Sequence, residues 1–88
     1  MVWRVEFTQD AAKDLRRLDH HVQRQIIRYL KERITTDESP HRFGKILRGD
    51  KQGLWRYRVG DYRIICFIED DEQTVLVLRI AHRSRVYK

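Results

Sequence analysis

Eighty-eight residues carry 19 Lys+Arg against 13 Asp+Glu, a formal net charge of +6, with 41% hydrophobic and 36% charged side chains. That length allows one domain, residues 1–88, and the apolar fraction suits a packed core rather than a disordered chain. No apolar run approaches the ~18 residues of a membrane-spanning helix, the single cysteine, Cys66, excludes an internal disulfide framework or a Cys-rich zinc site, and the charges within Met1–Phe7 do not read as a signal peptide, so a cytoplasmic protein is expected.

The elements follow in chain order. Val2–Phe7 alternates, with Trp3, Val5 and Phe7 on one face, which predicts a strand. Thr8 is placed to cap a first helix carrying Ala12, Leu15 and Leu18. Asp19 can cap a second, in which Val22, Ile26, Leu30 and Ile34 recur every four residues. A single helix over 9–35 is the alternative, because no Gly or Pro interrupts it. The polar stretch Thr35–Arg42, with the only proline at Pro40, ends the helical region. Lys45–Asp50 reads as a connector. The period then changes to two: strands at Leu54–Val59, Tyr62–Ile68 and Thr74–Ile80, joined by Gly60-Asp61 and the acidic turn Glu69–Gln73. The order β-α-α-β-β-β predicts an α+β fold, an antiparallel sheet with a two-helix hairpin packed on one face.

The charge is unevenly placed. Residues 1–40 hold 8 basic and 7 acidic residues, whereas residues 41–88 hold 11 and 6. A two-residue turn at Gly60-Asp61 fixes the register, so Arg58 faces Arg63 and Arg56 faces Ile65. Arg56, Arg58 and Arg63 then share one face, and Trp55, Tyr57, Val59, Tyr62, Ile64, Cys66 and Ile68 the other. A five-residue acidic loop would pair Ile68 with Thr74 and set Arg79 opposite Arg63. Like charges directly opposite in a sheet cost a few tenths to ~1 kcal/mol per pair. An anionic ligand would neutralise them, and guanidinium forks match phosphate. Charged strands also resist edge-to-edge aggregation, but that accounts better for single edge charges than for a cluster on adjacent strands.

Past the last strand, His82, Arg83, Arg85 and Tyr87 make a basic segment with one aromatic. Tyrosine can stack a base and arginine hold its phosphate, while histidine titrates near neutrality. A solvated tail is the plainer reading. His20, His21 and His41 lack metal-ligand spacing, Cys66 lies on the core face, and Glu69–Glu72 fits a solvated turn better than a metal cluster.

The run Lys45-Ile-Leu-Arg-Gly, then Leu54-Trp-Arg-Tyr-Arg-Val-Gly-Asp-Tyr-Arg-Ile-Ile, then His82-Arg83 with Val86-Tyr87, resembles the RelE/ParE toxin superfamily, RelE-type toxins more than ParE-type. The opening strand and Ala-Ala-Lys-Asp-Leu-Arg-Arg-Leu of the first helix share the likeness, which covers essentially the whole chain. The resemblance implies the toxin of a type II toxin–antitoxin pair, a ribosome-dependent endoribonuclease that cuts mRNA in the A site. The ribose 2′-hydroxyl attacks the adjacent phosphate, so neither metal nor cofactor is expected. It implies roles for Arg56 and Arg58, Arg63, Arg83 and Tyr87. Arg58, Arg63, His82, Arg83 and Tyr87 are expected to act in catalysis, and Lys45, Arg48, Arg56, Arg79 and Arg85 to bind substrate. This chain has arginines where one well-known pattern has lysines, and arginine scarcely deprotonates. His82 is then the best titratable candidate for proton transfer. The implied partners are the ribosome, mRNA and a cognate antitoxin from an adjacent gene, whose acidic or amphipathic segment covers the basic face. DNA is reached only through the antitoxin, and no membrane is involved. The alternatives are a ParE-like DNA gyrase inhibitor and a non-catalytic RNA-binding module.

Overall fold

The computed structural model describes residues 2–47 and 53–84. Strand β1 spans Arg4–Phe7 and runs into helix α1, Gln9–Arg16. Thr8 begins that helix as expected: its Oγ1 accepts from the Ala11 N–H at 3.1 Å, and its hydroxyl donates to the Leu78 carbonyl at 3.1 Å. The cap therefore also fastens the helix to the sheet. Ala11, fully buried, is the alanine at the core rather than Ala12.

Two helices form, not one. α1 ends at Arg16, with Arg17 as its C-cap, and α2 covers His20–Tyr29. Asp19 takes the extended N-cap backbone but makes no side-chain cap bond. The junction is held from the other side, where the Gln23 side-chain amide donates to the Leu18 carbonyl at 2.7 Å. The helix then widens into a π-turn over Leu30–Ile34, closed by the Thr35 N–H on the Leu30 carbonyl at 2.9 Å. Ile26, Leu30 and Ile34 are all buried, so the four-residue stripe faces the sheet as predicted.

A short 3₁₀ turn, Pro40–Phe43, follows. Its anchor is Tyr57: the fully buried phenol donates to the Pro40 carbonyl at 2.7 Å. Burial raises the phenol's pKa, with Cys66 and Tyr29 nearby adding to the shift, so it remains a donor across the working pH range. Tyr57→Phe leaves that carbonyl without its partner and costs about 1–3 kcal/mol. A urea titration should show the midpoint falling with the slope unchanged.

The sheet has five strands in the order β1-β5-β4-β3-β2, with β2 at Lys45–Ile46, β3 at Leu54–Val59, β4 at Tyr62–Glu69 and β5 at Thr74–His82. The α+β class and the helices on one face stand as expected. The sheet, however, is mixed: β1 lies parallel to β5, Arg4 beside Thr74 through Phe7 beside Val77. The helices carry the chain from one sheet edge to the other, and β3 to β5 fold back to meet β1 from its far side. The segment read as a connector supplies the fifth strand. Lys45 pairs with Arg56 and Ile46 with Trp55. Two paired residues are too few to show a period of two.

The core lies between the helices and one sheet face. Ile26, Leu30 and Ile34 meet Tyr57, Val59, Ile64, Cys66 and Ile68, with Val75, Val77 and Ile80 from β5. Burial pushes the Cys66 thiol well up from its ordinary range, which keeps it a neutral, inert core group.

Candidate nucleic-acid interface

The other sheet face is basic, and its geometry begins at the β3–β4 turn. Gly60 has φ +58°. A side chain there would be strained, so glycine at the first turn position permits the two-residue connection. The resulting register is the expected one: Arg58 opposite Arg63, Arg56 opposite Ile65 and Val59 opposite Tyr62. Lys45 joins from the neighbouring strand, directly opposite Arg56. Paired residues share a face, so Lys45, Arg56, Arg58 and Arg63 form a cationic group on three adjacent strands, away from the helices.

The members differ in freedom. Arg58 and Lys45 are exposed, while Arg56 and Arg63 are half-buried. The Arg63 Nε is buried and has no hydrogen-bond partner among the described residues. Ile65, on the same face between Arg56 and Arg79, is only 6% exposed, so an apolar floor underlies the cations. The Arg63 guanidinium is thus held half-buried on the central strand of the sheet. Among the described residues no three His, Cys, Asp or Glu side chains come together as a metal site.

Arg79 lies on this face as expected, but not opposite Arg63. The acidic connection is a four-residue turn, Asp70–Gln73, with Gln73 at φ +47°. Glu69 therefore pairs with Thr74 and Ile68 with Val75, not Ile68 with Thr74. A bulge between the Cys66–Val77 and Ile65–Arg79 pairs shifts the register once more, leaving Arg79 opposite Ile65 and Ala81 opposite Arg63. The Arg79 guanidinium is engaged by Asp14 of α1, with Nε at 2.9 Å and Nη2 at 3.3 Å from the carboxylate.

Strand β5 extends two residues beyond the expected end, and this sorts the C-terminal candidates. His82 pairs with Tyr62 and meets its ring edge-on, 5.2 Å between centroids at 89°. Tyr62 belongs to the face opposite Arg63, so the register separates His82 from the arginines. The His82 Nδ1 accepts the Ser84 N–H at 3.2 Å and lies 2.8 Å from Ser84 Oγ. Arg83 is held at the β3–β4 turn: its N–H donates to the Asp61 carbonyl at 2.7 Å, and its Nε lies 3.6 Å from the Asp61 carboxylate. That ion pair is solvent-exposed and weak. Arg48, Arg85 and Tyr87 lie outside the described residues.

Sequence reasoning missed the strand that carries Lys45 and a contact behind the site. His41 Nε2 lies 3.0 Å from the Asp70 carboxylate, and its ring stands edge-on to Trp55 at 4.6 Å, joining the 3₁₀ turn to the β4–β5 turn. The 29-residue separation gave no local signal.

Comparison with known proteins adds an independent line. A family described as the ParE toxin of the type II toxin–antitoxin system parDE matches residues 5–87. Toxin RelE of Mycobacterium tuberculosis is 36% identical over 86 residues, covering 98% of this chain and 87% of that protein. Toxin RelG of the same organism is 32% identical over 88 residues, covering 100% and 99%. A chain of the M. tuberculosis RelBE2 toxin–antitoxin complex superposes with a TM-score of 0.85 at 30% identity, covering 97% of this chain and 95% of that one. The intact E. coli RelBE toxin–antitoxin complex shares the fold, with a TM-score of 0.72 at 21% identity over 94% of this chain and 99% of that one.

Proposed function

This chain belongs to the RelE/ParE superfamily of type II toxin–antitoxin toxins, and from that premise we propose that it is a metal-independent endoribonuclease that cuts mRNA in the ribosomal A site and so stops translation. The observation that carries the reading is the direct Arg58–Arg63 pairing beside Arg56 and Lys45 on the face left open by the helices. Four cations so placed repel one another, and a ribonucleotide backbone relieves that repulsion.

In this reading the 2′-oxygen attacks the adjacent phosphorus, and negative charge grows on the equatorial phosphate oxygens. Arg63 and Arg58 meet that charge from a fixed sheet face. Arg56 holds the neighbouring phosphate, and Arg48 and Arg85 add binding charge. Tyr87 stacks on the target nucleotide. Arg83, tethered at the turn, approaches the phosphate from the same end of the hairpin. His82 acts at a distance: packed on Tyr62 and bonded to Ser84, it sets the direction in which the chain leaves the sheet. Arg79, bound to Asp14, serves the fold before it serves RNA.

The partner in this reading is a cognate antitoxin from an adjacent gene, as the known RelBE assemblies of similar fold suggest. Its acidic or amphipathic segment meets the basic face, and it alone contacts operator DNA. The setting is the cytoplasm.

Inducible expression with mapping of transcript 5′ ends tests the reading. New ends should appear within translated codons and vanish when the antitoxin is co-expressed. Intact messages in growth-arrested cells would falsify it, and DNA double-strand breaks in those cells would point to gyrase instead.

A further inference from the structure

Cleavage by an internal 2′-oxygen leaves one task that the arginines perform badly. The 5′-oxygen departs as an alkoxide and needs a proton, and a guanidinium scarcely releases one. His82, the expected titratable group, lies on the wrong face for this. Its Nδ1 accepts the Ser84 N–H, so in the neutral ring the proton sits on Nε2.

The arginine face has one titratable cation of another kind among the described residues. Lys45 pairs directly with Arg56, and Arg58 is its diagonal neighbour two residues further along β3. Diagonal positions across an antiparallel pair lie roughly 7–8 Å apart, within reach of long side chains. Lys45 is exposed at the sheet edge and has no ion pair of its own among the described residues. An ammonium is already protonated at neutral pH and is a stronger acid than a guanidinium, so it needs no special environment to donate.

We propose that Lys45 is the general acid of the cleavage, delivering a proton from Nζ to the departing 5′-oxygen while Arg58 and Arg63 hold the phosphate; this rests on the endoribonuclease reading. The bond from the 2′-oxygen to phosphorus forms as the bond from phosphorus to the 5′-oxygen breaks. The electron pair of the broken bond goes to the 5′-oxygen, which takes the Nζ proton. The 2′-hydroxyl proton passes to solvent water, and Lys45 regains a proton from solvent. The products are a 2′,3′-cyclic phosphate and a 5′-hydroxyl. Lys45 thus brings an ammonium from the edge strand β2 to a face where β3 carries only arginines.

The test uses the full-length chain and ribosomes programmed with message carrying either the natural 5′-oxygen or a bridging 5′-sulfur at the mapped scissile bond. Sulfur leaves without a proton. With oxygen, Lys45→Ala should lower the single-turnover rate about 100-fold, and Lys45→Arg at least about 10-fold while RNA affinity holds. With sulfur, both variants should come within about 3-fold of the unaltered protein. Equal losses on the two substrates, or Lys45→Arg cutting the oxygen substrate at full rate, would overturn the proposal and leave a phosphate-holding cation, with the nuclease reading intact. If the unaltered protein cuts neither message, the nuclease reading fails and the proposal falls with it. Lys45 is exposed on a two-residue strand, so its variants should fold, and circular dichroism checks this.

Discussion

Arg63→Ala should lower the single-turnover cleavage rate 100- to 1000-fold, about 2.7–4 kcal/mol, the usual loss when a preorganised donor to a developing oxyanion is removed. Arg63 is the member of the group for which this is expected. It sits on β4, second from neither edge but in the middle of five strands, its Nε is buried, and the apolar floor at Ile65 is two residues away. Its guanidinium therefore reorganises little as charge develops. Arg58 is exposed, and its loss should weigh less, by about tenfold. Arg63→Lys keeps the charge without the fork and should fall between. Stability should move the other way. Arg58 and Arg63 stand directly opposite one another, so removing one relieves repulsion worth a few tenths to ~1 kcal/mol. A variant that loses activity and is at least as resistant to urea marks a residue kept for its ligand. One that loses both together marks a structural arginine and removes the basis of the site.

How much of this was legible follows from what sets each register. The Arg58–Arg63 pairing was readable because a two-residue turn admits one alignment, and Gly60-Asp61 signals such a turn. Arg79 was misplaced because Asp70–Gln73 is one residue shorter than expected, and because a bulge near Leu78 leaves no mark in hydrophobic alternation. The helical stripe Ile26, Leu30, Ile34 was readable from its spacing, but the π-turn within it was not, since one extra backbone residue changes no side-chain pattern over so short a span. The parallel β1–β5 pair joins residues some 70 apart, beyond any local rule. Lys45 falls within the run that carries the family likeness, and its place opposite Arg56 comes only from a strand too short to announce itself.

The register matters to the site because each strand passes it to the next. β1 ends at Phe7, opposite Val77, yet β5 continues to His82. From Leu78 onward β5 has lost its strand partner on that side. α1 takes over: Thr8 bonds the Leu78 carbonyl, and the Asp14 carboxylate accepts the Ile80 N–H at 2.9 Å as well as the Arg79 fork. These contacts bracket the bulge. The bulge sets Ala81 opposite Arg63 and brings Arg83 to the turn at Asp61. A helix on the far side thus fixes the position of the cationic face.

Asp14→Ala should therefore be the most destabilising of the single substitutions considered, at about 2–3 kcal/mol. The Asp14 side chain is 12% exposed and receives three hydrogen bonds, and its loss leaves the Ile80 N–H without an acceptor and Arg79 without its partner. Arg79 is half-exposed and regains water, which keeps the cost below that of a fully buried pair. For a domain of this size that loss corresponds to a melting temperature lower by about 10–20 °C. The pH dependence carries the sign. Burial works against the Asp14 charge, but the Arg79 hydrogen bond, the Ile80 N–H, and the charges of Arg79 and Arg17 outweigh it and hold the carboxyl below its ordinary range. A carboxyl whose folded value lies below its unfolded one stabilises fully above the unfolded value, near 3.9 for aspartate, and loses that contribution as pH falls through the folded value. Urea midpoints of the unaltered protein and of Asp14→Asn, followed from pH 7 to pH 2.5, should differ by a constant amount down to about pH 4 and converge below it. A gap that persists undiminished at pH 2.5 would mean that the Asp14 charge contributes nothing and that shape alone holds α1 against the bulge.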